Sequence, residues 1–76
     1  MANITLPELG QGIDKATVAC WHKNVGEKFT SDDDLVEVVT DKASFNIPAL
    51  GNGQIKQILV AEGQVVKVGE VLAVIE

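Results

Sequence analysis

The second half of the chain repeats the first. Laying "VACWHKNVGEKFTSDDDLVEVV" over "IKQILVAEGQVVKVGEVLAVIE" puts Val18 on Ile55, Gly26 on Gly63, Glu27 on Gln64, Leu35 on Leu72 and Val38 on Ile75, each pair 37 positions apart. That offset is about half of the 76 residues, so approximate two-fold symmetry is expected between the halves. Apolar residues come in short, β-branched bursts ("ITL", "TVACW", "LVEVV", "ASFNI", "QIKQILV", "QVVKV", "VLAVI") instead of at helical spacing. Between the bursts lie turn formers such as Pro7, Gly26, Pro48, Gly63 and Gly69.

Together these features predict an all-β fold in which two similar sheets pack face to face: a flattened barrel of two four-stranded antiparallel sheets with quasi-two-fold symmetry. Strands are expected near 3–6, 17–22, 27–29, 34–40, 43–47, 53–60, 64–67 and 71–75. Val36, Val38, Ile47, Ile55, Ile58, Val66, Leu72 and Val74 are the expected core, subject to the one-residue slip that exchanges the two faces of a strand.

Size and charge exclude several functions. Seventy-six residues make one small domain with no room for a large enzyme site. The net charge of -5 and six scattered lysines offer no patch for a phosphate backbone, so nucleic acid is not an expected partner. No apolar run reaches the length of a membrane span, and the first residues lack the pattern of a signal peptide. Cys20 has only His22 for company in the sequence, too little for a structural zinc site, and reads as a strand cysteine in a reducing compartment. Gly10-Gln11-Gly12 lacks the third glycine of a dinucleotide loop, and Asp32-Asp33-Asp34 lacks the alternate spacing of a calcium loop; both read as turns. Trp21 is expected to cover the core or its edge. Ser44 lacks the Asp-Ser-Leu context of a phosphopantetheine site.

The unusual feature is a lysine at a tight turn. In "VEVVTDKASFNI" only Asp41 and Lys42 separate two strand-like runs, where a two-residue hairpin favours Asn, Asp or Gly at positive φ. Carrying the 37-residue offset from Lys42 leads to position 5 in one direction and past residue 76 in the other. The turn is therefore expected at the pole away from both termini.

"VEVVTDKASFNIPA" resembles the lipoyl-attachment motif of lipoyl domains in the acyltransferase component of 2-oxo acid dehydrogenase complexes. "ITLPELGQGI", "WHKNVGEKF" and "GQIKQILVAEGQVVKVGEVLAVIE" resemble the same family's opening, second and closing segments. The motif stands in register with Pro7, Gly12, Trp21, Gly26, Pro48, Gly53 and Glu62-Gly63.

The resemblance implies lipoic acid in amide linkage to Lys42, with Asp41 and Ala43 as the motif flanks that a lipoate-protein ligase or lipoyl transferase reads. It implies partner recognition by the loop of Glu8, Gly10, Gln11, Gly12, Ile13, Asp14 and Lys15. The implied role is a non-catalytic swinging arm. A thiamin-dependent 2-oxo acid decarboxylase acylates it, the acyltransferase catalytic domain unloads it, and dihydrolipoamide dehydrogenase reoxidises it. Residues 1–76 would then be the N-terminal part of a longer acyltransferase chain, monomeric when isolated, in prokaryotic cytoplasm or alternatively the mitochondrial matrix.

Two positions depart from the family pattern: Gln11 replaces the acidic residue of its Gly-Glu-Gly loop, and Leu50 replaces the second proline after the hairpin. A biotin carrier shares the expected fold, but its lysine is flanked by methionines, and the only methionine here is Met1. The aminomethyl carrier of glycine cleavage needs added helical segments. An unmodified interaction module of this fold needs no lysine at the tip.

Overall fold

The computed structural model describes residues 2–49 and 51–76; Leu50 lies outside the described residues. Eight strands follow one another with no helix among the described residues: β1 (Ala2–Thr5), β2 (Lys15–Trp21), β3 (Lys28–Phe29), β4 (Asp34–Val39), β5 (Ser44–Pro48), β6 (Gly53–Ile58), β7 (Val65–Lys67) and β8 (Val71–Ile75). Every strand expected from the sequence is present, with its ends within two residues of those predicted.

The strands form two four-stranded sheets of order β1-β8-β6-β3 and β5-β4-β2-β7, with every pairing antiparallel. Advancing each strand number of the first sheet by four, cyclically, generates the second sheet, so the two-fold symmetry is realised. Each sheet contains two strands from each half of the chain.

Two of the side-chain contacts that close turns repeat with the strands. The Glu27 side chain accepts from the Asn24 N–H at 3.1 Å, and Gln64 accepts from the Ala61 N–H at 3.2 Å, 37 residues on. Asp33 accepts from the Thr30 N–H at 2.9 Å, as Glu70 does from the Lys67 N–H at 3.0 Å. Gly26 and Gly63 take φ of 89° and 88°, left-handed values that a Cβ would strain. Their N–H groups donate across the halves, Gly26 to Ile55 O and Gly63 to Val18 O, both at 2.7 Å.

The repeat changes register once. Ile4 lies opposite Ala73 and Ile47 opposite Val36, so β1 matches β5 at an offset of 43, not 37. By this correspondence the β1–β2 connection is six residues longer than the β5–β6 connection. It also corrects the expected equivalent of Lys42, which falls ahead of Ala2 and not at position 5.

The core joins the inward faces of both sheets and repeats in pairs: Val18 with Ile55, Phe29 with Val66, Leu35 with Leu72, Val36 with Ala73, and Ile4 with Ile47, all buried. Six of the eight expected core residues are buried, whereas Ile58 and Val74 are half-buried. In β8 the reason is a bulge. Thr5 pairs with Val71 and Ile4 with Ala73, which leaves Leu72 without a partner on β1. Leu72 and Ala73 both turn inward, and strict alternation fails. Leu35, skipped between Asp34 and Val36 in the pairing with β5, is the symmetric counterpart.

Packing is compensated across the axis. Ala16 faces Val66, and its equivalent Gly53 faces Phe29. A Cβ at Gly53 would lie 3.0 Å from the Phe29 ring and 2.6 Å from Glu76 O, so the larger ring is paired with the residue that has no side chain. Trp21 closes the edge, half-buried, with its indole N–H donating to Val60 O at 3.0 Å.

Asp33 organises the turn ahead of β4. Its carboxylate accepts from Thr30 and stands 3.7 Å from Lys23 Nζ. The Thr30 backbone bond, helped by Lys23, holds its pKa below the ordinary carboxylate value. A depressed folded pKa contributes stability above the unfolded value of about 3.9 and loses it as pH falls through the folded pKa. Asp33→Asn should therefore lower the urea midpoint at neutral pH. The gap to the parent chain should narrow below about pH 4, measured as a series of urea melts.

Candidate functional site

The turn between β4 and β5 is closed by a side chain. Val39 pairs with Ser44, and the Thr40 N–H donates to Ala43 O at 2.8 Å. The Ala43 N–H instead donates to Thr40 Oγ1 at 3.1 Å, and the Lys42 N–H donates to the same oxygen at 3.1 Å. The hydroxyl itself donates to Ala43 O at 3.0 Å. One oxygen thus accepts two bonds and donates a third, which is the full capacity of a hydroxyl.

This arrangement removes the need for glycine. Among the described residues no non-glycine residue has positive φ, so Asp41 and Lys42 are not in the primed turn expected of a two-residue hairpin. The side-chain closure gives the tip a conformation open to any L-residue, lysine included. Thr40 was not among the residues singled out from the sequence; a threonine directly before an Asp-Lys tip is the signal that could have found it.

Asp41, Lys42 and Ala43 are all exposed. Among the described residues no carboxylate stands in salt-bridge range of Lys42. Its amine is therefore accessible from solvent and held by no ion pair with a described residue.

The long β1–β2 connection lies beside this tip. Gly12, Ile13, Asp14 and Lys15 line an open groove together with Thr17, Val39, Lys42 and Val65. The loop is pinned at both ends to the β7–β8 turn: Leu6 N–H donates to Glu70 O at 3.0 Å, Gly69 N–H to Leu6 O at 2.8 Å, and Val68 N–H to Asp14 O at 3.0 Å. Inside it, Ile13 N–H donates to Gly10 O at 3.2 Å, and Gly12 takes a φ of 82°. Glu8 and Gly10 line a neighbouring depression with Val68, and Gln11 is exposed. Gly12 to Lys15 are thus brought to Lys42, while Glu8 and Gly10 sit one step away. Val65 and Thr17, which sequence reasoning did not select, complete the groove.

Comparison with known proteins assigns the chain to a family. The family model described as "Biotin-requiring enzyme", covering biotin and lipoyl attachment, matches residues 2–75. The solved lipoyl domain of the 2-oxoglutarate dehydrogenase complex from Azotobacter vinelandii superposes with a TM-score of 0.81 at 34% identity, covering 100% of this chain and 96% of that one. The chain belongs to the biotin/lipoyl family, as a lipoyl domain.

Among curated relatives, the dihydrolipoyllysine succinyltransferase component of the 2-oxoglutarate dehydrogenase complex from Buchnera aphidicola (subsp. Schizaphis graminum) is 37% identical over 92% of this chain. The lipoamide acyltransferase component of the branched-chain alpha-keto acid dehydrogenase complex from Bacillus subtilis is 34% identical over 96% of it. The chain spans only 18% and 17% of these two relatives. The lipoyl domain is a carrier fold, and its lysine turn is the part that Thr40 shapes.

Thr40→Val should speed hydrogen exchange at the Lys42 and Ala43 amides and cost about 1–3 kcal/mol, because all three hydrogen bonds of the hydroxyl are lost. Thr40→Ser should retain both amides' protection. Exchange measured by nuclear magnetic resonance checks this; equal protection in Thr40→Val would show that the hydroxyl does not close the turn.

Proposed function

We propose that Lys42 carries lipoic acid in amide linkage and that the domain acts as a swinging-arm carrier in a 2-oxo acid dehydrogenase complex. The observation that carries this reading is an exposed lysine on a side-chain-closed hairpin, in a chain that matches a lipoyl domain along its whole length. Forming an amide from a carboxylic acid expels water and needs an activated acyl donor, so attachment requires a ligase or transferase. Acylation removes one positive charge and takes the formal charge from -5 to -6.

The lipoyl group, when bound, supplies a disulfide that accepts an acyl group with two electrons. The residues of this chain hold its anchor on a rigid hairpin and present Gly12 to Lys15 beside it. The domain catalyses nothing; tethering raises the local concentration of the arm at each partner. Those partners are the thiamin-dependent decarboxylase, the acyltransferase catalytic domain and dihydrolipoamide dehydrogenase. The small share of each curated relative spanned by the chain fits a domain of a longer acyltransferase.

Biotin is the alternative group. Asp41 and Ala43 beside Lys42, in place of methionines, favour lipoate. Intact mass after expression with lipoate, biotin and both ligases should show a gain of one lipoyl group, absent in Lys42→Ala. A biotin-sized gain, or none, overturns the proposal.

Gln11 is exposed in the loop near the lysine, where a carboxylate in its place would alter the charge met by a docking decarboxylase. Gln11→Glu should change the rate of reductive acylation several-fold and leave the lipoylation rate unchanged. Equal effects on both rates would remove Gln11 from partner recognition.

A further inference from the structure

Away from the lysine turn, three metal-binding side chains of different chemistry converge on the outer face of the sheet β5-β4-β2-β7. The pairing of β2 with β4 shifts between Val18 and Cys20, so Val18 is buried while Cys20 pairs with the outward Glu37. His22, two residues on, shares the face of Cys20. The donor atoms of Cys20, His22 and Glu37 all lie within 4.8 Å of one another, and Cys20 Sγ is 3.8 Å from Glu37 Oε1. Asn46, opposite Glu37 on β5, places Oδ1 3.0 Å from His22 Nε2.

We infer that Cys20, His22 and Glu37 form a binding site for a divalent metal ion of the zinc class, with Asn46 orienting the imidazole. The inference stands independently of whether Lys42 is lipoylated. In sequence Cys20 has only His22 nearby; the register of β2 against β4 supplies the third ligand.

Thiolate, imidazole and carboxylate are the three donor types zinc accepts, at about 2.0–2.3 Å. Tetrahedral bonds of that length place ligand atoms about 3.3–3.8 Å apart, against separations of at most 4.8 Å in the cluster. Thiolate and carboxylate together balance the charge of the ion, and binding releases the thiol proton to solvent. Sulfur and nitrogen donors disfavour calcium and magnesium, which prefer all-oxygen shells. Asn46 supplies the partner that ligating histidines usually have: with its amide oxygen as acceptor, Nε2 carries the proton and the other ring nitrogen keeps its lone pair. Three protein ligands leave a fourth position for water or an added ligand, the stoichiometry of an open site.

The test is a Co²⁺ titration of the unlipoylated chain, whose only thiol is Cys20, followed by competition with Zn²⁺. One equivalent should bind with a thiolate-to-cobalt charge-transfer band, and Zn²⁺ should displace it. Cys20→Ser, His22→Ala and Glu37→Gln should each weaken binding tenfold or more, and Asn46→Ala by about tenfold. Lys42→Ala should leave it unchanged. Circular dichroism confirms that each variant is folded; His22 is exposed, so its replacement leaves the core intact. Absence of the band overturns the site. So does a band that survives in both His22→Ala and Glu37→Gln, because a lone thiol would then explain the binding.

Discussion

Two reciprocal hydrogen bonds set the architecture. Each half of the chain makes a glycine turn whose N–H reaches into a strand of the other half, Gly26 to Ile55 and Gly63 to Val18. The return bonds, Ile55 N–H to Glu27 O and Val18 N–H to Gln64 O, close each clasp. Because every sheet holds two strands from each half, neither half can satisfy its backbone or bury its apolar face alone. Folding must then be cooperative across the whole chain, as a domain with so small a core requires. The positive φ of the two glycines is the local condition for both clasps.

The repeat was legible because symmetry multiplies weak signals. Gly26 or Gly63 alone marks only a turn, but the pair, with Leu35 and Leu72 in step, fixes the relation between the halves. What alternation could not reveal were the bulges. Leu35 and Val36 are both buried, as are Leu72 and Ala73, and a period of two assigns one residue of each pair to solvent. Leu35 and Ala73 were missed for this reason, and Val74 was placed in the core although it is half-buried. The change of offset at β1 was hidden too, since it depends on which residues pair across a sheet and not on which residues are apolar.

The lysine was legible as an anomaly, and its explanation was not. Turn chemistry read from residue types demanded positive φ at the tip, which Lys42 does not favour. The structure resolves the conflict one residue earlier, where the Thr40 hydroxyl replaces the carbonyl that would normally receive the Ala43 amide. Side-chain closure of this kind leaves no mark in hydrophobic periodicity. It depends on a hydroxyl at one position, and a β-branched residue there is equally consistent with an ordinary strand end.

The domain departs most from its own symmetry beside Lys42. The extra length in the β1–β2 connection supplies Gly12 to Lys15 to the groove at Lys42, whereas the related end of the other sheet has only the short β5–β6 connection near Glu76. A six-residue extension carries an entropic cost, and its backbone must find partners. Leu6 and Asp14 meet both demands by bonding to the β7–β8 turn at the base of the loop, which leaves the intervening residues exposed or half-buried. The scaffold is thus held by features that repeat, and the groove at Lys42 is completed by one that does not. The hairpin that displays Lys42 and the loop beside it are held by different residues, Thr40 in one and Leu6 and Asp14 in the other, so each can be altered independently.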